Sequence, residues 1–235
     1  MTNSIYAALS RQQGLLQEMQ LVANNLANAS TTGYKTDRAI FAEFVVPTGE
    51  QSLSMGGIAG HSFNMTQSSL EFTGGKFDLA IQGEGFFVIR TGQGDKLTRG
   101  GHFQLSSEGT LIDGQGNPVL SAGGSEIVIP ETATDIKISG DGSISVDGEL
   151  IDQVGIAIPN GQLTRETGTQ FSAAEGYEQS EAATLVQGAL EQSNVSPVLE
   201  VSRMIEVQRA YEAGQMLFDQ EDKRVSSLIS AVREK

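Results

Sequence analysis

The sequence contains no cysteine and no tryptophan. Without cysteine there are neither disulfide staples nor thiolate metal sites. Histidine occurs only twice, at His61 and His102, so no pair at helical spacing is available to hold zinc. Basic residues are scarce, with 15 Lys and Arg against 29 Asp and Glu and a net charge of −14. That balance argues against a phosphate-binding surface, which needs clustered cations, and so against nucleic acid as a partner. Long apolar runs are missing as well. Phe86-Phe87-Val88-Ile89 stops after four residues, far short of the roughly 20 that span a bilayer, and no membrane insertion is expected. The start, Met1-Thr2-Asn3-Ser4, lacks the basic residues and apolar run of a cleaved secretory signal.

What is present is distributed unevenly. Of 28 glycines, residues 1–48 hold Gly14 and Gly33, residues 189–235 hold Gly214, and residues 49–188 hold the other 25. Glycine disfavours helix and supplies turns, so the ends read as helical and the middle as turn-rich β structure. Charge divides the same way. Residues 1–48 are neutral, residues 189–235 carry −2, and residues 49–188 carry −12. Near-neutral helical ends can pack against copies of themselves while an acidic middle prefers solvent. The expected organisation is an N-terminal helix within 1–36, a linker or extended segment over 37–70, a β-rich domain over 71–188 and a C-terminal helix within 189–235.

Alternate steps of three and four from Ile5 give Ala8, Gln12, Leu15, Met19, Val22, Leu26 and Ala29. All but Gln12 are apolar, the pattern of a coiled-coil seam. Such a helix is about 26 residues or 39 Å long. Thr31-Thr32-Gly33 should end it, with Gly33 in the left-handed position after the last turn. At the other end, Ser196 is a suitable N-cap and Pro197 a suitable first helical residue. One column there, Met204, Tyr211, Phe218, Val225 and Val232, is apolar throughout. Its companion, Val201, Gln208, Gln215, Asp222 and Ile229, is polar in its centre. Periodicity leaves open a coiled-coil partner or an amphipathic helix lying on the chain's own core.

Short strand-like runs fill the middle: 86–90, 96–98, 103–105, 126–129, 136–138, 144–146 and 154–158. Asp113-Gly114, Asp141-Gly142 and Asp147-Gly148 punctuate them. This spacing predicts an all-β sandwich or barrel. Residues 47–66 have no period and read as a loop or linker.

Catalytic chemistry finds no anchor. There is no Gly-x-Ser-x-Gly elbow, and both histidines read as turn or linker residues rather than general bases. Gln82-Gly83-Glu84-Gly85-Phe86-Phe87 begins like a dinucleotide fingerprint, but Val88 stands where a glycine is needed. A tight hairpin is expected there. The acidic run from Asp141 to Asp147 lacks the glycine and glutamate of a calcium loop and reads as a turn and a strand. No enzyme activity, cofactor or metal is expected. More informative is Val22-Ala23-Asn24-Asn25-Leu26-Ala27-Asn28-Ala29, with three asparagines in an apolar helix end. Either that end is solvated, or the amides bond neighbouring chains and fix register.

Ala23 to Lys35, reading Ala-Asn-Asn-Leu-Ala-Asn-Ala-Ser-Thr-Thr-Gly-Tyr-Lys, resembles the N-terminal signature of the flagellar axial proteins, the rod and hook subunits. Leu70-Glu71-Phe72-Thr73-Gly74-Gly75 is similar to their Leu-x-x-Thr-Gly segment. Asp78 to Phe87, Thr98 to Phe103, Gln187 to Val195 and Met204 to Glu212 follow in the family's order. The short length and Asn194-Val195-Ser196-Pro197 resemble the proximal rod member; a distal rod or hook-type member is the alternative. The remaining alternative is a soluble ligand-binding β domain with dimerising helices.

The resemblance implies an α+β fold whose terminal helices pair as a coiled coil inside a tube, with the β domain outside. It implies self-assembly, other rod proteins and the flagellar type III export apparatus as partners, and a place in the basal-body rod across the periplasm. It also implies torque transmission from motor to hook. The expected assembly interface is Ile5, Leu15, Met19, Val22, Asn24, Asn25, Leu26 and Asn28 on the first helix. On the last helix it is Val201, Met204, Tyr211, Phe218, Val225 and Ile229.

Overall fold

The computed structural model describes residues 2–48, 51–130, 133–180 and 182–233. It is an α+β chain with a helix near each end and mostly β structure between. The chain divides into two compact units. One comprises residues 1–27, 36–64 and 195–235, the other residues 28–35 and 65–194.

The helical unit contains α1 (Thr2–Ala27), β1 (Asp37–Thr48), β2 (Gln51–Phe63) and α2 (Pro197–Arg233). Helix α2 starts where the cap signals place it, and Glu200 N donates to Ser196 O at 3.0 Å as its first turn closes. Helix α1 stops at Ala27, earlier than Thr31-Thr32-Gly33 implies, and Ala29 lies beyond it. Asn28 ends the run, its carbonyl accepting from Thr31 N at 3.1 Å and its Oδ1 from Thr31 Oγ1 at 3.1 Å. Short polar side chains compete with helix in this way.

The expected loop over 47–66 is instead mostly strand. Residues 49 and 50 lie outside the described residues. On either side β1 and β2 form an antiparallel ladder from Asp37↔Phe63 to Thr48↔Gln51, with a bulge between Ile40 and Phe41. The strand is held by backbone pairing, which leaves no period in the sequence to read.

Among the described residues the β unit carries fifteen strands. They are β3 (Leu70–Phe72), β4 (Leu79–Gln82), β5 (Phe86–Thr91), β6 (Gly94–Thr98), β7 (Phe103–Leu105), β8 (Leu111–Asp113), β9 (Ile136–Ile138) and β10 (Ser143–Val146). Then come β11 (Glu149–Gln153), β12 (Ile156–Pro159), β13 (Leu163–Thr167), β14 (Gln170–Ala173), β15 (Tyr177–Gln179), β16 (Thr184–Gln187) and β17 (Ala189–Glu191). The main sheet has six strands in the order β13-β14-β6-β5-β12-β15. A three-stranded sheet, β11-β10-β9, and the pairs β16-β4, β17-β3 and β7-β8 complete it. Leu79, Ile81, Phe87, Ile89, Leu111, Ile127, Ile129 and Ile144 form its core. Phe87 and Phe103 meet edge to face, centroids 5.0 Å apart.

Two local expectations are corrected. Residues 126–129 make only isolated bridges, Leu120↔Glu126 and Thr110↔Val128, not a strand. Gly83-Glu84-Gly85 is not a hairpin turn. It carries the chain from β4, which pairs with β16, to β5, which pairs with β6 and β12. Both glycines have positive φ, 106° and 142°, and a Cβ at Gly85 would collide with Ile156.

Candidate assembly interface

In the helical unit the two helices run antiparallel, as three contacts show. Gln12 Nε2 donates to Tyr211 O at 3.0 Å, Glu18 Oε1 lies 2.5 Å from Arg203, and Asn25 Nδ2 donates to Glu200 Oε2 at 3.4 Å. As one number rises the other falls. On α1 the seam read from the sequence is largely turned inward. Val22 and Gln12 are buried, and Leu15, Met19 and Leu26 are half-buried, while Ile5 is exposed. A second stripe missed by the apolar pattern, Gly14, Glu18 and Asn25, is buried beside it. Sequence reasoning missed it because two of its three members are polar.

Asn25 has a specific task. Its Nδ2 donates to Asp37 O at 2.8 Å, and its Oδ1 accepts from Asp37 N at 3.0 Å. One side-chain amide thus closes both backbone groups of the first residue of β1, as a neighbouring strand would. Asn28 holds the turn after α1, and Asn24 is exposed. A groove of about 360 Å3 lies among α1, β1 and α2, lined by Val22, Asn25, Ala39, Phe41, Leu199 and Arg203 among others.

Among the described side chains of α2 the inward positions are 200, 204, 207, 210, 211, 214, 218 and 221, and without Ala210 they form an unbroken alternation of four and three. Met204, Tyr211 and Phe218 belong to it. Their companions are Val207, Gly214 and Glu221, three residues ahead, not the column running from Val201 to Ile229. That column is exposed, as is Val225. Sequence reasoning missed Val207 and Gly214 although the same three-four count reaches them. Among the described side chains of α2, eight large apolar ones are exposed, from 44% at Val201 to 75% at Val198. Few such side chains are expected on a surface meant for water.

The β unit brings the sequence signatures together. Glu191, from the Gln187–Val195 segment, is 1% exposed. Its Oε1 lies 2.6 Å from Lys35 Nζ and accepts from Ser68 N at 2.9 Å; its Oε2 lies 3.2 Å from Arg99. Lys35 also donates to Thr66 O at 3.0 Å. Arg99 donates to Gly83 O at 2.7 Å and lies over the Phe86 ring, while its buried Nε has no hydrogen-bond partner. Two cations share one carboxylate. Burial pushes the Lys35 ammonium below the ordinary lysine range, and Glu191 pulls it back up. Burial likewise lowers Arg99.

The backbone repeats these links. Gly33 N donates to Glu191 O at 2.7 Å and Asn194 N to Tyr34 O at 3.3 Å. Gly33, at φ 71°, packs so closely on Arg99 and Gly100 that any Cβ would collide with their backbone. A second meeting point joins Thr73, Asp78 and His102. Asp78 Oδ1 is 2.7 Å from His102 Nδ1, and Thr73 Oγ1 donates to Asp78 Oδ2 at 2.5 Å. His102 is therefore an exposed partner of a buried carboxylate, and it lies at an isolated bridge to Asp78 and not at the expected turn.

Family models match three stretches of the chain: a flagella basal body rod protein model over residues 5–35, a flagellar hook protein FlgE/F/G D1 domain model over 80–146, and a flagellar basal body rod FlgEFG protein C-terminal model over 186–231. The first spans most of α1, its turn and Lys35; the last spans the end of β16, β17 and most of α2. Among curated relatives, the flagellar basal-body rod protein FlgF of Caulobacter vibrioides is 36% identical over 93% of each chain. FlgF of Mesorhizobium japonicum is 35% identical over 90% of each. The rod protein FlgG of Bacillus subtilis is 31% identical over 99% of this chain and 100% of its own. With these matches running through both helices and the β unit between them, the chain belongs to the flagellar basal-body rod protein family and is FlgF-like.

Proposed function

We propose that this chain is a structural subunit of the bacterial flagellar basal-body rod, built into it beside other rod and hook proteins and copies of itself. The observation that carries the reading is the apolar face of α2 that α1 leaves uncovered, on a chain of this family. Val198, Val201, Ile205, Met216, Val225 and Ile229 need a cover that the described residues of the helical unit do not supply. Neighbouring subunits supply it, with the helices pairing as a coiled coil within the rod and torque passing from motor to hook through those contacts. Asn24 and Asn28 aside, the expected interface residues then divide in two. Leu15, Met19, Val22, Asn25, Leu26, Met204, Tyr211 and Phe218 hold the subunit's own helices in shape. Ile5, Val201, Val225 and Ile229 meet other subunits.

The role is mechanical, not enzymatic, and calls for no cofactor, nucleic acid or insertion into the membrane. No described helix is long and apolar enough to cross one. Delivery through the flagellar type III export apparatus completes the reading. Within the family we assign the chain to the proximal, FlgF-like position. The full-length match to a FlgG keeps a distal-rod role as the second reading.

Negative-stain microscopy of basal bodies from cells lacking the chain tests this. Rods interrupted near their base are expected. Complete rods on rotating flagella would overturn the assignment, and interruption only at the distal end would select the second reading.

A further inference from the structure

The β unit is closed by its last strands on its first. β17 pairs with β3, from Glu191↔Leu70 to Ala189↔Phe72, and β16 pairs with β4, from Thr184↔Gln82 to Gln187↔Leu79. Among the described residues, the same segment delivers the carboxylate bonded to both cations of the buried cluster, while Glu84 acts on Arg99 without an ion-pair contact. Lys35 and Arg99 lie far earlier in the chain and are almost fully buried, at side-chain exposures of 1% and 4%. Until Glu191 arrives, closing the unit would bury two cations with no anion between them. Gln192 N, Ser193 O and Asn194 Nδ2 add hydrogen bonds to Ser69 O, Ser68 Oγ and Thr66 O.

We propose that the Lys35–Glu191–Arg99 cluster is a closure lock that makes folding of the β unit conditional on the arrival of residues 184–194. A buried unpaired charge is strongly unfavourable, and removing one partner of a buried ion pair is more disruptive than never having built it. The core strands β5 and β6, although complete by Thr98, therefore stay open. A chain emerging N-terminus first remains unfolded along residues 28–183 until its last quarter is out. Signatures at 30–35, 98–102 and 187–195 are then three parts of one device that holds the unit open and then shuts it.

Pulse-labelling hydrogen exchange during refolding of the full wild-type chain tests the lock directly. Amides of β5 and β6, which do not pair with residues 184–191, should become protected in the same kinetic phase as those of β16 and β17. Protection of β5 and β6 in an earlier phase would overturn the proposal. The ionic origin is tested by Glu191→Gln, which keeps shape and removes charge. It should lower the ratio of closed to open β unit by roughly 100-fold or more, and Lys35→Met in the same chain should recover part of that. Glu149→Gln, at an exposed carboxylate on β11, should leave the ratio unchanged. Equal effects of Glu191→Gln and Glu149→Gln, or no recovery with Lys35→Met, would show that packing and not charge closes the unit.

Discussion

Two helix-interior glycines sit in different surroundings and should respond differently to a methyl group. A Cβ on Gly14 would meet only Phe41 Cε1, at an ordinary 3.6 Å. Gly14→Ala should therefore gain most of the roughly 1 kcal/mol by which alanine exceeds glycine in a helix. A Cβ on Gly214 would collide with the Gln12 side-chain amide. Gln12 would swing away and lose its bond to Tyr211 O, worth about 1 kcal/mol, so Gly214→Ala should be close to neutral. With Gln12→Ala already present, the same change should again gain about 1 kcal/mol. Urea unfolding followed by helical circular dichroism compares Gly14→Ala, Gly214→Ala, Gln12→Ala and the Gln12→Ala/Gly214→Ala double variant with wild type. Additive effects would show that Gln12 does not reach across to α2.

Lys35 makes a pH prediction at the same scale. Burial is the largest influence and sets its folded pKa below the ordinary 10.5; Glu191 opposes it and Arg99 adds to it. Between the folded pKa and 10.5 the unfolded chain binds more protons than the folded one. The contribution is thus fully present above 10.5 and is lost as pH falls through the folded value. Stability of the β unit should rise on the alkaline side over that window, and Lys35→Met should flatten the rise. Parallel pH profiles for the two chains would contradict it.

At the scale of elements, α1 is a three-sided arrangement in which polar residues fix position. Asn25→Leu keeps the size but leaves Asp37 N buried without its acceptor, at a cost of about 1–3 kcal/mol. Denaturant titration of the helical unit reads it. Leu26 is half-buried and Gln17 exposed, so Leu26→Asp should weaken the unit and stop motility while Gln17→Asp should swim. Swimming by both would mean that the Leu26 side of α1 is not packed.

These elements also mark what could be read beforehand. The α1 seam, the Ser196-Pro197 start and most core strands followed from period and turn residues, because burial there is apolar. The Gly14, Glu18 and Asn25 stripe could not, since polar burial depends on partners far along the chain, such as Arg203 and Asp37. The β1–β2 ribbon was hidden for another reason, being held by backbone pairs that any side chain permits. The convergence of Lys35, Arg99 and Glu191 is purely tertiary. Its members stood inside recognised signatures, yet nothing local says that those signatures touch.

For the whole molecule, the acidic β region and near-neutral ends mean that contacts between subunits should depend on apolar helix faces and not on charge pairing. Leu217 and Phe218 are neighbours that separate the two kinds of burial. Phe218 lies on the inward alternation of α2, whereas Leu217 is 51% exposed. Fully burying a leucine contributes about 1.5–3 kcal/mol, and a carboxylate in its place adds a desolvation penalty with no basic partner designed for it. Leu217→Asp should therefore leave the isolated subunit as stable as wild type, within about 0.5 kcal/mol, and prevent rod completion in cells. Phe218→Asp should destabilise the isolated helical unit itself by several kcal/mol. The two changes add the same charge one residue apart, so unfolding curves and basal-body microscopy together assign each face. A Leu217→Asp strain with complete rods would mean that this part of α2 faces solvent in the rod, and the cover for its apolar face would have to come from the Val198 to Ile205 turns instead.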